Sequence, residues 1–428
     1  MRFKILTMSD FKKFSLKSIV QKNNLIILYS ICAFISSYNT AISLSGGDFD
    51  AFLEAANKFK QNISIYCSPH ENYGKQYYYS IFFAWVLSYF SSYPTLCKFV
   101  WSIFSFGLLF RVYNLVCFYL RINFLSKKNK LKWAMTIGVL SLNTITDNIS
   151  RIQLSILILW IILESFNFAQ KNKKIMASSL LALGINIKIL PIIVLPYYLI
   201  KGEYKLLTYT VVLVLVLYLI PAFAIGFELN LVWLKQWWEI INPQNYIHTH
   251  EFKSIGVISI SSLISNYFID SLNQKGILTS FIQLDLNSAR LLFNVIRIAF
   301  FAFFFSSFYR LRSSKAPMIH FYFLSILTLL ISILFPHQQR YATLFVLPSI
   351  AYLSYYFIQV QNQAYLFKIC LFILSCILFS PIYGRDIIGN SLFDYIQIHK
   401  LQTISIIFIY SVLITCLPDA LQENKTKK

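Results

Sequence analysis

Residues 206–226 read LLTYTVVLVLVLYLIPAFAIG, a run in which no side chain is charged. A helix of about 20 such residues spans the hydrocarbon core of a bilayer. Similar runs recur along the chain, at about 25–44, 95–120, 133–146, 152–169, 175–186, 188–200, 289–308, 317–335, 341–360, 369–383 and 403–416. The sequence therefore predicts an all-α polytopic membrane protein with about 12 transmembrane helices.

The composition of the 428-residue chain excludes a soluble protein of two or three domains. Charged residues make up 13% and hydrophobic residues 57%, against roughly 25% charged residues in soluble globular proteins. The net charge of +21 would suggest a nucleic-acid partner in a soluble chain. In a membrane protein such an excess marks cytoplasmic loops, so we expect the lipid bilayer and no nucleic acid as a partner. The seven cysteines show neither a disulfide pattern nor a metal-binding spacing.

The basic residues predict which loops face the cytoplasm. Segments assigned to the inside total 74 residues with 23 Lys and Arg, whereas 142 residues of outside loops carry 10. Twelve of the 17 acidic residues fall in the outside loops. By the positive-inside rule, residues 1–428 form a single multi-pass domain in the inner (plasma) membrane with both termini cytoplasmic. Its two large extracytoplasmic loops are 45–94 and 227–288.

Two stretches need separate interpretation because they are short for a membrane span. Residues 77–92, YYYSIFFAWVLSYFSS, are strongly aromatic and are interpreted as an interfacial segment, since spanning would place the basic loop 121–132 outside. The chain between KNKK (171–174) and KGEYK (201–205) must leave the cytoplasm and return, which predicts a break around Lys188. Non-helical backbone at membrane depth is tolerated only where it is buried in protein or lines a cavity.

The first loop opens with GGDFDAFLEAANKFK (46–60), whose apolar spacing predicts an amphipathic helix lying on the bilayer surface. Asp48 and Asp50 come directly after the first predicted span. A partly desolvated carboxylate at this position can act as a general base, or it can simply cap the surface helix. The tripeptide at 48–50 also spells D-x-D, a pattern of nucleotide-sugar transferases, but it lies outside, where nucleotide sugars are not supplied.

Three cationic side chains lie at or near membrane depth: Lys188 at the predicted break, Arg151 at the outer end of a helix, and Arg340 beside His337. A charge in a membrane segment is by default a functional hypothesis, although Arg151 and Arg340 can also snorkel to the interface. A lysine between two apolar half-helices needs an anionic partner. A lipid phosphate from the outer leaflet would supply one.

The motifs in their order resemble the GT-C superfamily of membrane glycosyltransferases, and most closely glycosyltransferase family 87. They are a basic N-terminus, one helix, D-F-D-A-F-x-x-A-A (48–56), the aromatic YYYSIFF (77–83), N-x-x-x-x-Q (148–153) and G-I-N-I-K-I-L-P (184–191). The family includes mannosyltransferases that use polyprenol-phosphate-mannose. The resemblance covers most of the chain.

The resemblance implies transfer of a sugar, mannose first, from a polyprenyl-phosphate carrier to a glycolipid, polysaccharide or protein acceptor outside the cell. By position the catalytic base is Asp48, with Asp50 as a second catalytic candidate. The candidate donor-binding residues are Lys188, Arg151, Gln153, Arg340 and His337. The carrier already activates the sugar, so no soluble cofactor and no metal site is expected, although some superfamily members use a divalent metal. The run HTHE (248–251) lacks an established metal-ligand spacing.

Two other classes of protein remain open at this point. A lipid-linked-sugar flippase or transporter would suit a broken helix, but the chain has no inverted repeat and its polar residues gather on one side. A polymerase or ligase that uses a diphosphate-linked oligosaccharide would be expected to carry arginine-rich outside loops, whereas these loops are rich in acids.

Overall fold

A computed structural model describes residues 16–43, 48–66, 77–245, 248–249, 256–269, 279–280, 282–311, 317–360, 365–379 and 385–418, without the side chains of 16–25, 317 and 385–387. These residues form helices and no strand; the only β contact among them is an isolated antiparallel bridge between Val257 and Gln339. The predicted all-α class is confirmed.

Eighteen α-helices follow one another along the described chain. They are α1 (Leu16–Ile42), α2 (Phe49–Lys60), α3 (Ile81–Ser88), α4 (Pro94–Tyr119), α5 (Lys127–Ser150), α6 (Ser155–Gln170), α7 (Lys174–Ile187), α8 (Leu195–Ile200), α9 (Tyr204–Leu219), α10 (Ala222–Ile225), α11 (Phe227–Ile241), α12 (Ile260–Ile264), α13 (Leu286–Leu311), α14 (Pro317–Leu334), α15 (Leu347–Val360), α16 (Leu366–Phe379), α17 (Arg385–Ile398) and α18 (Leu401–Thr415). Short 3-10 segments precede α8 and α15, at Leu190–Val194 and Arg340–Val346.

The helices are those of a polytopic membrane protein. Four continuous segments of the described chain are long and apolar enough to cross a bilayer: Pro94–Tyr119, Tyr204–Ile225, Leu286–Leu311 and Arg340–Val360. Two further pairs of helices pass the same test together, bent by 116° between α5 and α6 and by 63° between α17 and α18. The other predicted spans correspond to apolar helices of 10–17 residues. The count of about 12 crossings therefore stays a prediction.

The aromatic stretch 77–92 does not contain a membrane-spanning helix. Its helix α3 has 8 residues, a length of about 12 Å at 1.5 Å per residue, against a hydrocarbon core about 30 Å thick. Ser80 caps this helix by accepting a hydrogen bond from the amide of Phe83 at 3.2 Å. The length agrees with the interfacial interpretation.

Helix α2 is amphipathic as predicted, but its apolar face packs on protein. Phe49 and Phe52 on that face are 0% and 1% exposed. The ring of Phe52 lies 4.6 Å from that of Tyr79 and 5.5 Å from that of Phe83, and Phe49 lies 5.8 Å from Trp101 of α4. The apolar face of α2 is therefore covered by protein. Packing against α3 and α4 fixes the start of α2, next to Asp48.

The predicted break around Lys188 is confirmed. Helix α7 ends at Ile187, and Lys188 is extended, with φ −148° and ψ 124°. The neighbouring Asn186 is fully buried and tied to two other segments. Its amide donates to the carbonyl of Val214 at 3.3 Å, and its oxygen accepts from the hydroxyl of Ser80 at 3.2 Å. The break is thus held by protein contacts on both sides.

Close packing next to the break predicts a sensitive glycine. A Cβ at Gly184 of α7 would lie 2.8 Å from Cγ2 of Ile161 and 3.1 Å from Cγ of Pro191. Gly184→Val should lower the unfolding free energy by about 1–3 kcal/mol because the core is overpacked. Thermal unfolding in detergent measures the effect. Gly107→Val is the control, since nothing lies within 4 Å of its Cβ; equal losses in both variants would contradict the prediction.

Two charges on the apolar helices α4 and α6 neutralise each other. Arg111 of α4 donates two hydrogen bonds to Glu164 of α6, at 2.6 and 2.7 Å, and Asn167 donates a third to the same carboxylate at 2.7 Å. Glu164 is buried, at 5% exposure, and a paired, hydrogen-bonded charge is tolerated in such an environment. These contacts favour a structural role for Arg111 and Glu164.

Candidate active site

Asp48 and Gln153 meet at the end of the bundle where α1 and α5 end. Asp48 directly precedes α2, and Gln153 lies in the bend between α5 and α6, where Ile152 adopts a left-handed φ of 52°. The Gln153 amide nitrogen Nε2 donates to Oδ2 of Asp48 at 2.7 Å. Because Gln153 is 1% exposed, this hydrogen bond holds the carboxylate in one orientation.

The Asp48 carboxylate does not cap the helix that follows it. No side-chain capping hydrogen bond is formed at the start of α2, although Asp48 occupies the N-cap position. The capping explanation for this residue is therefore not supported by its contacts. Among the described residues, only Gln153 forms a hydrogen bond with the carboxylate, and Oδ1 accepts none.

The bend that carries Gln153 is fixed by hydrogen bonds to a distant part of the chain. The buried Asn148 donates from Nδ2 to the carbonyls of Thr144 at 2.7 Å and Tyr341 at 2.9 Å. The hydroxyls of Thr144 and Thr343 lie 2.9 Å apart. Helix α5 and the 3-10 segment before α15 are thereby joined, which brings Tyr341 to the same end of the bundle as Asp48.

Lys188 lies between the rings of two tyrosines. Its Nζ is 5.4 Å from the ring centroid of Tyr79 and 5.3 Å from that of Tyr341, distances typical of cation–π attraction. Lys188 also has an electrostatic interaction with Asp48. Within the described part of the chain, however, Lys188 forms no ion pair. The site thus contains a partly buried ammonium group whose positive charge no contacting carboxylate neutralises.

Tyr79 is buried and held by contacts with neighbouring aromatic residues. Its carbonyl accepts a hydrogen bond from the hydroxyl of Tyr66 at 2.7 Å, and its ring packs on Phe52. Burial raises the pKa of Tyr79 well above its usual value, with smaller contributions from Tyr341 and the negative charge of Asp48. The side chain is therefore a neutral phenol that presents its ring to Lys188.

The other predicted site residues have different neighbours. Asp50 forms an ion pair with the buried Lys98 of α4 at 2.9 Å. Arg151 pairs with Asp147 at 2.7 Å, one turn earlier on α5. The guanidinium of Arg340 lies over the ring of Phe393 at 5.4 Å. The structure thus brings together Asp48, Gln153 and Lys188, whereas the described contacts of Asp50 are with α4.

His337 is half-buried and contacts the buried His248. Its Nε2 lies 3.0 Å from Nδ1 of His248, whose Nε2 lies 2.8 Å from the carbonyl oxygen of Ile240. A carbonyl only accepts, so His248 carries its proton on Nε2 and His337 donates to Nδ1. The ring of His337 lies 5.4 Å from that of Tyr78, which adjoins Tyr79. The pair joins the second large loop (227–288) to the turn after α14.

Comparison with known families identifies the chain. The sequence model of glycosyltransferase family 87 matches residues 77–336, more than half of the chain. The protein belongs to glycosyltransferase family 87. A search of curated proteins finds no match. The family confirms the resemblance drawn from the motifs and makes this protein a membrane glycosyltransferase.

The match to family 87 includes part of the candidate site of this glycosyltransferase. Tyr79, Gln153 and Lys188 lie inside the matched residues 77–336. Asp48 precedes the matched residues and Tyr341 follows them. These two residues are therefore assigned to the candidate site by their contacts with Gln153 and Lys188, which lie inside the match.

Neither aromatic partner of Lys188 in this family 87 protein was predicted from the sequence. Tyr79 stands within the quoted run YYYSIFF, where the aromatic residues were interpreted only as an interface signal. Tyr341 adjoins Arg340, whose charge made Arg340 the predicted site residue. Aromatic residues as well as acids stabilise an ammonium group at membrane depth, so a lysine there indicates aromatic neighbours too.

The absence of a metal from the predicted site is not tested by the structure. No group of three or more His, Cys, Asp or Glu side chains suited to a metal occurs in the part of the chain that is described. His250 and Glu251 lie outside that part. The expectation that the glycosyltransferase needs no cofactor therefore stays a prediction.

The histidine pair predicts that the protein loses stability in acid. Burial lowers the pKa of His248 to about 4, helped by His337, and burial lowers the pKa of His337 to about 4. Unfolded histidines bind protons near pH 6.5. The contribution of these two histidines to the free energy of unfolding should therefore be fully present above about pH 6.5 and should be lost as the pH falls towards about 4. Thermal unfolding between about pH 7.5 and 5 should show a smaller loss in a His248→Gln/His337→Gln double variant; equal losses would contradict the prediction.

Proposed function

We propose that this glycosyltransferase moves a sugar from a polyprenyl monophosphate carrier to a cell-envelope acceptor on the extracytoplasmic side of the inner membrane. Mannose is the first candidate for the sugar. The observation that supports this best is that the candidate site contains an oriented carboxylate and an ammonium group that do not form an ion pair with each other. The carboxylate of Asp48 is oriented by Gln153 and interacts electrostatically with the Lys188 ammonium group, which has no ion-pair partner among the described residues.

Lys188 suits the phosphate of a lipid-linked donor. Its two tyrosine neighbours attract a cation without neutralising it. A phosphate that enters from the lipid would complete the pairing with a charge-assisted hydrogen bond. As the bond to the sugar breaks, negative charge increases on the departing phosphate, and a fixed cation stabilises that charge most in the transition state.

Asp48 suits the acceptor. Its Oδ1 accepts no hydrogen bond from the described residues and is available to an acceptor hydroxyl. The hydroxyl would transfer its proton to Asp48 as its oxygen forms a bond to the anomeric carbon. The bond from that carbon to the phosphate oxygen breaks on the opposite face, and the carrier leaves as polyprenyl phosphate. The expected product has inverted anomeric configuration.

Gln153 has a positioning role in this proposal. Its amide donates to Asp48. The resemblance implied instead that Gln153 contacts the donor. A fixed base is effective because small displacements of reacting groups are costly, about 10²-fold for about 1 Å. Arg151 and Arg340 remain candidates for further contacts with the donor.

The location of the site supports a lipid-linked donor over a nucleotide sugar. Asp48, Gln153 and Lys188 all lie in segments that the distribution of Lys and Arg predicts to be outside or near the outer leaflet. Nucleotide sugars are made in the cytoplasm, whereas carrier lipids present activated sugars in the membrane itself.

A reconstituted transfer assay tests the donor class. The purified protein in proteoliposomes is given polyprenyl monophosphate sugars, a polyprenyl diphosphate sugar or nucleotide sugars, with an extract of envelope lipids and polysaccharides as acceptor. Transfer from one monophosphate donor alone is expected. Transfer from a nucleotide sugar or only from the diphosphate would overturn the proposal.

A further inference from the structure

A buried lysine lies near the start of α4, in a segment that is otherwise apolar. Lys98 follows the first residue of that helix, Pro94, by four positions, and α4 is long and apolar enough to cross a bilayer. An ammonium group that is removed from water in such a segment is unfavourable unless an acid pairs with it. The packing of α4 alone therefore does not explain the lysine, and its partner does.

The partner of Lys98 is Asp50 in the first turn of α2. The Nζ atom of Lys98 lies 2.9 Å from Oδ1 of Asp50, and the two side chains are 11% and 50% exposed. Among the described residues, α2 forms one other ion pair, between Lys58 and Glu54, and both of these residues belong to α2 itself. The charged contact between α2 and the bundle is thus made at the first turn of the helix.

This ion pair adds direction to the apolar packing around it. Phe49, the neighbour of Asp50, lies 5.8 Å from the ring of Trp101, which follows Lys98 on α4 by three residues. Burial of apolar surface is non-directional, so ring packing alone allows the first turn of α2 to rotate or slide. An ion pair with a distance of 2.9 Å forms only when both side chains meet. Lys98 therefore fixes the orientation of this turn.

The same turn carries the proposed base. Asp48 precedes Asp50 by two residues, and its carbonyl oxygen accepts the first helical hydrogen bond of α2, from the amide of Phe52 at 3.3 Å. Its side chain accepts from Gln153 at 2.7 Å. The start of α2 is thus held from two directions, by α4 through Asp50 and by the bend between α5 and α6 through Gln153.

We infer that Lys98 is a positioning residue for sugar transfer and that Asp50 acts as its partner, not as a second catalytic carboxylate. This inference rests on the proposed function, because the ion pair holds Asp48 where an acceptor hydroxyl can transfer its proton to it. A displacement of about 1 Å costs about 10²-fold in rate. Loss of the ion pair should therefore lower kcat and leave KM for the lipid donor nearly unchanged, since the donor phosphate is assigned to Lys188.

Reversal of the two charges tests the assignment in the reconstituted transfer assay. Lys98→Met, which keeps the apolar stem, and Asp50→Asn should each lower kcat by about 10- to 100-fold. The double variant Asp50→Lys/Lys98→Asp restores an ion pair of opposite polarity and should return kcat to within about fivefold of the wild-type value. Lys58→Met is the control, because it removes an ion pair confined to α2; its kcat should stay within about twofold of the wild-type value.

Two results of this assay would overturn the inference. A double variant as inactive as Asp50→Asn would mean that position 50 itself requires a carboxylate. A wild-type kcat in Lys98→Met would mean that the ion pair does not position the base. Absence of transfer by the wild-type protein with every donor would instead refute the proposed function.

Hydrogen exchange gives a readout that does not depend on transfer. Asp50→Asn changes a half-exposed side chain, so the full chain should fold. Amide exchange at residues 49–53, measured by mass spectrometry in detergent, should become about two- to fivefold faster in this variant. Exchange there should change less in Lys58→Met. Unchanged exchange in Asp50→Asn, or an equal increase in Lys58→Met, would overturn the inference.

Discussion

Asp48→Asn is expected to reduce sugar transfer by about 10²–10⁴-fold, the range for removal of a general base. The substitution keeps the shape of the side chain and leaves an oxygen that can accept the hydrogen bond from Gln153. It removes the negative charge and the capacity to take a proton from the acceptor. The loss should therefore appear in kcat, with KM for the lipid donor nearly unchanged.

Glu54→Gln is the matched control for this variant. Glu54 lies on the same helix, α2, where its exposed carboxylate pairs with Lys58 at 2.8 Å. It is the same change from carboxylate to amide at an exposed position of α2, and transfer should stay close to the wild-type rate. Full activity of Asp48→Asn would remove Asp48 as the base, and equal losses in the two variants would point to a general effect of charge on α2.

Lys188→Met is expected to raise KM for the lipid donor by about 10- to 100-fold, since a hydrogen bond to a charged group contributes about 1.5–3 kcal/mol. Methionine retains the apolar stem between Tyr79 and Tyr341, so packing at the break should survive. Because the cation also stabilises charge on the departing phosphate, kcat should fall as well. Initial rates over a range of donor concentrations measure both changes.

Lys201→Met is the matched control for Lys188→Met, because it also removes a lysine that lies over an aromatic ring. Lys201 lies over Phe308 at 5.2 Å, at the far end of the segment that begins at Lys188. Its removal should leave KM for the donor within about twofold of the wild-type value. An unchanged KM in Lys188→Met, with the protein folded, would contradict the proposed contact with phosphate.

Much of the fold could be predicted because membrane helices are encoded locally. The apolar runs, the break at Lys188 and the short aromatic helix α3 each follow from a continuous stretch of sequence. The orientation of α2 could not be predicted in this way. Its apolar face suits a bilayer surface and a protein surface equally, and only the positions of Phe83 and Trp101 decide between them.

The candidate site could be predicted in part, because two of its residues are recognisable from the local sequence. Asp48 and Lys188 are visible as charges at unusual depth. Their neighbours depend on contacts between residues far apart in sequence, such as the hydrogen bond from Asn148 to the carbonyl of Tyr341. No local pattern indicates that Gln153 meets Asp48, or that Asp50 pairs with Lys98.

The most direct test compares sugar transfer and donor binding in wild-type protein, Asp48→Asn and Glu54→Gln under the same conditions. Each protein is reconstituted at equal density in liposomes that contain the polyprenyl monophosphate donor and the envelope acceptor. The proposal predicts that all three bind the donor, that wild type and Glu54→Gln transfer the sugar with inversion, and that Asp48→Asn does not. Transfer by Asp48→Asn at the wild-type rate, or retention of anomeric configuration in the product, would contradict it.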